Sequence, residues 1–389
     1  MGAGVDATAR YDAVVLGAGV VGASAAWHLA QGGLSVALVD AEGPATAASG
    51  ASDGAVSVAS RRPGPLARLA TVSLIYTRAL AQGGVLSGAY HARPSYIFAT
   101  GAAEGAAIDA LAAKLADLGD AVRLVRSGDG RLLPGVGPRI ERLAVLDGEG
   151  HMPGHAAVSG YLRDARITRI WPARVQMIEE AGALTRVVTD RGSLWAGRVI
   201  AAPGTATPRL FPAMPVHPRA GQLFVTDRGP AGALPGALTS AAYLMAKTAA
   251  PGVLPMPPVV IDPLSSGQFL IGSTREDHGD PARVDFATLH SLMQRAAEAW
   301  PALAARRVIR AFAGVRAAVA DGLPIVGPVP GLARVWLATG FEGDGICLSA
   351  LVGREVALMA TGTSPDARLA ADLAALSPAR FAALREGAA

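Results

Sequence analysis

The 389-residue sequence predicts an α/β protein whose helix-flanked parallel sheet opens and closes the chain around a more β-rich middle. Three observations predict it. An apolar run, Asp12-Ala-Val-Val-Leu, turns through three spaced glycines into a helical stretch and then a second apolar run, Ser35-Val-Ala-Leu-Val-Asp40. Near the other end, Val335-Trp-Leu-Ala-Thr339 passes through Gly340-Phe-Glu-Gly343-Asp344-Gly345 into a helix from Ile346 to about Ala360. Between them, residues 215–275 alternate apolar and polar runs with Pro/Gly breaks, the pattern of antiparallel strands.

The first unit spans residues 11–40. Its glycines, Gly17, Gly19 and Gly22, have Gly-x-Gly-x-x-Gly spacing, and Asp40 closes the next strand 23 positions after Gly17. Gly17 permits the tight turn, Gly19 lets a pyrophosphate approach the backbone, and Gly22 lets the helix lie close to the sheet. The N–H groups at the helix start favour phosphate charge. Asp40 is placed to accept from ribose hydroxyls and would repel a 2′-phosphate, so the motif predicts NAD or FAD rather than NADP. Residues 41–55 read as a Gly/Ser-rich loop. Residues 65–82 read as a helix with Leu66, Leu69, Val72 and Ala79 on one side, and 104–118 as an alanine-rich one. A short helix is expected over 156–170, then strands at 173–178 and 184–189. Trp195 to Gly204 reads as one strand running into a glycine turn. Gly221–Thr226 and Gln268–Gly272 read as strands, and 286–299 as a helix ended by Pro301.

Composition narrows the function. Apolar residues make up 51% and charged ones 17%, so a sizeable core is expected. Two domains, or one large one with an insertion, suit the length. The single cysteine, Cys347, leaves neither an internal disulfide nor a cysteine-ligated iron–sulfur cluster within the chain, and suits a reducing compartment. Net charge is only +4, and the adjacent basic pairs Arg61-Arg62 and Arg306-Arg307 have no aromatic platform beside them, so no nucleic-acid surface is expected. Ala13 to Trp27 superficially resembles a signal peptide, but Asp6, Asp12 and the glycine motif make it part of the fold. No other run is long and apolar enough to span a bilayer. His151 and His155 have Pro153 and Gly154 between them and would not share a helix face as metal ligands. No Ser/His/Asp or Cys/His constellation is visible.

Further segments narrow the reading. They are Ser49-Gly-Ala-Ser-Asp53-Gly-Ala55, Arg219-Ala-Gly-Gln222, Tyr243-Leu-Met-Ala-Lys247 and Gly267-Gln-Phe-Leu-Ile-Gly-Ser-Thr-Arg-Glu276. Ala311-Phe-Ala-Gly-Val-Arg316, Asp321-Gly-Leu-Pro-Ile-Val-Gly327 and Gly340–Leu348 follow. In this order, over essentially the whole chain, they resemble the FAD-dependent D-amino-acid oxidase and glycine oxidase superfamily. Within it they are most similar to the β subunits of D-hydroxyproline dehydrogenase and opine oxidases and to the third subunit of hydrogen cyanide synthase. The resemblance implies a Rossmann-like FAD-binding domain (residues 10–90, 150–214 and 320–389) with an inserted antiparallel-sheet substrate domain (91–149 and 215–319). It implies FAD, with FMN at a subunit interface as a second flavin. It also implies oxidation of the C–N bond of a carboxylate-bearing amine (D-hydroxyproline, an opine or glycine) to an imine. A hetero-oligomer with α-type and iron–sulfur-containing subunits is implied, cytoplasmic and at the inner membrane only through those partners. A stand-alone oxidase using oxygen and a flavin-binding scaffold without chemistry are the alternatives.

Residue by residue, the resemblance assigns cofactor contacts to Gly17, Gly19, Val20, Val21, Gly22, Asp40, Ser49, Ser52, Asp53, Gly54, Val175, Gly204, Gly340, Gly343, Asp344, Gly345 and Ile346. Arg316 matches the arginine that grips a substrate carboxylate, a task suited to its two-pronged fork; an ion pair with Asp321 or another acid is the structural alternative. Glycine oxidases carry a tyrosine on the strand that here reads Val259-Val-Ile-Asp262-Pro263, and Tyr243 is the candidate to replace it. Asp262 reads either as a contact for a basic substrate group or as a strand-end turn residue. Lys247 reads as a contact for substrate or a partner-bound flavin, or as an exposed surface lysine. Asp53 and Phe341 stand where relatives often have asparagine and histidine. Leu270 lies near the position of the oxygen-activating lysine of sarcosine oxidases, which argues against fast reaction with oxygen.

Overall fold

The computed structural model describes residues 9–61, 63–119, 122–127, 133–229, 234–246 and 258–385. The opening apolar run forms the strand Ala13–Leu16, then the helix Val20–Gln31 and the strand Val36–Val39. Both strands are buried throughout, as a central strand covered on both faces requires. They sit in a six-stranded sheet whose order is 167–170, 36–39, 13–16, 199–201, 335–339 and 325–328. All neighbours in it are parallel except the last pair. The helix Val20–Gln31 packs on the later helix Gly345–Ala360. A Cβ on Gly353 would come within 2.2 Å of Ser24 Oγ, so this glycine sets how close the two helices lie.

The middle of the chain builds an eight-stranded sheet, ordered 308–319, 216–226, 269–272, 260–263, 237–240, 95–99, 142–146 and 123–126. Its pairs are antiparallel except Ala237–Ser240 with Ser95–Ala99. The helix Phe286–Ala299 covers one face through Leu289, Leu292 and Ala296. Asp285 caps that helix, accepting from Thr288 N at 2.8 Å.

The structure corrects two expectations. Residues 156–170 are not one helix: the helix is Gly154–Tyr161, and Ile167–Ile170 is a strand parallel to Val36–Val39. An open sheet edge with backbone groups to satisfy outweighs local propensity there. Nor is Trp195 to Gly204 one strand. Gly192–Ala196 belongs to a separate four-stranded sheet and Val199–Ala201 to the six-stranded one. Gly197 marks the change of sheet, where a Cβ would crowd the Asp12 carbonyl at 3.1 Å. A small sheet of Ala55–Val56, His91–Ala92 and Gly150–His151 completes the fold.

Candidate active site

A cleft of about 1260 Å³, measured to its open mouth, runs between the two large sheets. One end is walled by the glycine turn (Gly17, Gly19, Val20, Val21, Gly22) and Asp40. Ser49, Ser52, Asp53 and Gly204 line its length. The other end is formed by Gly340, Gly343, Gly345 and Ile346 from the six-stranded side and by Leu223, Tyr243, Ser273, Gly314 and Arg316 from the eight-stranded side.

The glycine end is shaped for close backbone approach. Gly17 has φ +98°, and a Cβ there would lie 2.3 Å from the Ala202 carbonyl oxygen. A Cβ on Gly22 would lie 1.9 Å from the Gly17 carbonyl oxygen. Asp40 holds the turn: its Oδ2 accepts from Ala18 N at 2.8 Å, and its Oδ1 accepts from Glu42 N and Gly43 N, both at 2.8 Å. The same residue also faces a smaller cavity beyond the strand ends, lined by Val175, Arg174 and Arg209. Ser49 ties the loop to the helix start by accepting from Val20 N at 3.0 Å. This end presents glycine backbone without side chains and a fixed carboxylate, which suits close approach by the ADP half of a dinucleotide.

Arg316 lies on the strand Val308–Val319, directly opposite Arg219 of its neighbour Val216–Thr226. Arg316 Nη1 donates to the carbonyls of Ala220 and Thr274, both at 3.3 Å, and Nη2 donates to Ser273 Oγ at 2.6 Å. Among the described residues no carboxylate lies within ion-pair distance of it. The alternative pair with Asp321 is overturned, since Asp321 binds Arg380 at 2.9 Å. Arg219 is neutralised instead by Asp277 at 3.0 Å and Glu342 at 3.3 Å, and Glu342 also pairs with Arg275. Gln222, fully buried, braces this wall by donating to Glu276 Oε1 at 2.9 Å and Asp285 Oδ2 at 2.8 Å. The sequence segments around 219–222 and 267–276 are therefore one hydrogen-bonded unit.

Asp262 is neither a substrate contact nor a turn residue. It lies inside the strand Val260–Pro263, 1% exposed, in an ion pair with Arg93. Burial pushes its carboxyl up to about 7, against the pull of Arg93 and with the charge of Asp53 adding to the rise. His151 Nε2 lies 3.7 Å from Asp262 Oδ2 and donates to the Asp53 carbonyl at 3.0 Å. Burial, then Arg93, drives His151 down to about 3, so it is neutral.

Most of the residues assigned to the cofactor meet on one cleft, and Val175 stands on the adjoining cavity. Gly54 and Asp344 stand behind the wall. A Cβ on Gly54 would meet His151 Nε2 at 2.8 Å, and Asp344 turns to Arg61. Tyr243 reaches the cleft; Lys247 lies outside the described residues. Arg61, from one of the adjacent basic pairs in the sequence, is a buried side chain, 2% exposed, paired with Asp344. Sequence reasoning also missed Ser273 and Glu342 as cleft residues, although both fall inside segments that carried the resemblance.

The chain matches the FAD dependent oxidoreductase family over residues 12–359 and belongs to it. It is an oxidoreductase, and its cofactor is FAD. It is 32% identical over 203 residues to hydrogen cyanide synthase subunit HcnC of Pseudomonas aeruginosa, covering 52% of this chain and 42% of the relative. It is 27% identical over 253 residues to the glycine oxidase of the same organism, covering 60% of this chain and 62% of that one. The matched segments thus span less than two thirds of these relatives' own lengths. The crystal structure of glycine oxidase from Geobacillus kaustophilus superposes with a TM-score of 0.84 at 23% identity, covering 95% of this chain and 98% of that one. The fold is shared.

Proposed function

We propose that the chain oxidises the C–N bond of a carboxylate-bearing amine to an imine, with Arg316 holding the carboxylate. One observation carries the reading: a cleft-lining guanidinium whose hydrogen bonds go only to uncharged oxygens, beside an arginine that is already neutralised. A guanidinium in a wall of this kind favours a planar anion. Bound FAD supplies the two-electron acceptor. The chain's own residues orient the substrate: Arg316 fixes the carboxylate, Ser273 holds Arg316, and Tyr243 lines the same end of the cleft. The ADP end of FAD is assigned to Gly17–Gly22 and Asp40, with Val175 at its outer edge, and its ring end to Gly340–Ile346. Among the relatives' names, a glycine oxidase supports a small amino acid as substrate and a cyanide synthase subunit supports a place in a multi-subunit assembly; the β-type role with α-type and iron–sulfur-containing partners is part of the proposal. A second flavin at that interface belongs to the same proposal.

The test is anaerobic bleaching of the flavin by glycine, sarcosine, proline, hydroxyproline and opines, with the chain alone and with its co-purified partners. At least one carboxylated amine is expected to bleach it. Arg316→Ala is expected to keep FAD and lose roughly 100-fold in the bleaching rate constant per substrate concentration, the scale of a lost charge-assisted pair. Peroxide formed rapidly by the chain alone would replace the partner-dependent reading with the oxidase one. Unchanged kinetics in Arg316→Ala, or no bleaching by any carboxylated amine with partners present, sinks the proposal.

A further inference from the structure

Glu342 is one of two non-glycine residues with positive φ among the described residues, at +48°. Residues with a side chain adopt that conformation at a cost, and such outliers cluster where ligands are held. Two anchors fix it. Its N–H donates to the Ala317 carbonyl at 2.8 Å, one residue past Arg316 on the same strand. Its Oε1 accepts from Arg219 Nη1 at 3.3 Å and is also the oxygen that meets Arg275. Arg219 in turn stands directly opposite Arg316. Glu342 is therefore tied to both strands around Arg316, and it lines the same cleft.

The two arginines share one oxygen of this carboxylate. The other, Oε2, accepts no hydrogen bond among the described residues, although the side chain is only 21% exposed. An ionised carboxylate is acceptor-only, with both oxygens able to take bonds, so half of its capacity is unspent. The neighbours do not duplicate it. Leu223 and Phe341 present apolar side chains to the cleft, and Ser273 Oγ is engaged by Arg316 at 2.6 Å. This end of the cleft thus offers a guanidinium to an anion and, beside it, one carboxylate oxygen to a donor.

We propose that Glu342 determines specificity: its Oε2 accepts from a hydrogen-bond donor on the substrate. The amine oxidised here then carries, besides its reacting nitrogen and the carboxylate held by Arg316, a hydroxyl or a cationic nitrogen. An apolar analogue would strip water from Oε2 and leave it unpaired, which is how a polar site rejects an isostere that lacks the donor. The inference deepens the reading of Arg316 as the carboxylate contact and rests on it.

The test is anaerobic titration of the FAD-loaded chain with straight-chain carboxylates that lack an α-amine, read by the shift in flavin absorbance. Each chain length is supplied with a methyl, a hydroxyl or an ammonium end, as in pentanoate, 4-hydroxybutyrate and 4-aminobutyrate. At one length or more, a donor end is expected to bind roughly tenfold tighter than its methyl isostere. A larger gain for hydroxyl marks a hydroxylated substrate, and a larger gain for ammonium marks a basic one. Glu342→Gln is expected to lose the ammonium advantage and keep part of the hydroxyl one, because a carboxamide oxygen still accepts a neutral bond. Glu342→Asn, which tolerates the left-handed backbone, withdraws the oxygen and is expected to lose both. A merely structural Glu342 would weaken all three ends alike in the variants. That result overturns the proposal, as do equal affinities of the three ends in the parent or an advantage that survives in both variants. Binding of methyl-ended carboxylates with no gain from a donor sinks this inference alone; no binding of any carboxylate sinks the Arg316 reading with it.

Discussion

Gly17 and Gly33 both have positive φ, +98° and +85°, yet they do different work. A Cβ on Gly33 meets nothing within 4 Å, whereas one on Gly17 lands 2.3 Å from a backbone oxygen of the neighbouring strand connection. Gly33→Ala carries only the cost of a left-handed residue, about 1–2 kcal/mol, and is expected to keep FAD. Gly17→Ala adds a clash that backbone must absorb. It is expected to destabilise further and to lose FAD, read by thermal unfolding and by flavin content of the purified variant. Equal behaviour of the two variants would mean that the turn is not pressed against the strand. These glycines were legible in the sequence because their role is local. Arg61 was not: it is buried in a pair with Asp344, and an Arg-Arg pair in isolation looks like solvent-facing charge.

At the level of elements, the pair Arg93–Asp262 joins the small sheet to the large one. The fold raises the Asp262 carboxyl from 3.8 to about 7, so the protonated form is the favoured one. Its contribution to stability is full below pH 4 and is lost as pH climbs toward 7. His151 runs the other way: lowered from 6.5 to about 3, it contributes fully above pH 6.5 and loses that contribution as pH falls. Arg93→Met removes the cation that keeps Asp262 tolerable when charged. Its penalty is expected at about 3–5 kcal/mol at pH 8, the scale for breaking a buried pair, and smaller at pH 5, where the carboxyl is protonated. Urea unfolding at the two pH values checks this; equal penalties would mean that the charge on Asp262 is not what Arg93 stabilises. The first unit, the helix after Pro65 and the helix before Pro301 were legible from periodicity and punctuation. The strand Ile167–Ile170 and the break at Gly197 were not, because a strand only four residues long takes its identity from the sheet edge that receives it.

Across the whole molecule, the cleft draws its wall from widely separated stretches of chain: the glycine turn, the loop at 47–53, residues 202–205, the paired strands near 223 and 316, and the turn at 338–346. The α/β class and most of the cofactor end could be read from motifs because each motif does its work alone. The end of the cleft at Arg316 could be approached only through resemblance, and Ser273 was missed there, because Arg316, Ser273 and Tyr243 meet by tertiary packing. Glu342 spans the same seam: it follows the six-stranded sheet and pairs with Arg219 and Arg275 of the eight-stranded side, so the seam is closed by charge as well as by apolar contact.

The lone thiol turns this arrangement into a clock. Cys347 is fully buried in the first turn of the helix that ends at the cleft, and burial raises its thiol above the ordinary value. An alkylating reagent is expected to reach it only after the helix start has left its seat, so the rate of modification counts openings of that end of the cleft. With free FAD at about a hundred times its Kd, modification is expected to slow by roughly a hundredfold relative to the apoprotein. Mass spectrometry against time would follow it at one atom; equal rates with and without FAD would place the opening elsewhere. A protein with a single cysteine thus carries its own gauge of how tightly its cofactor holds the fold shut.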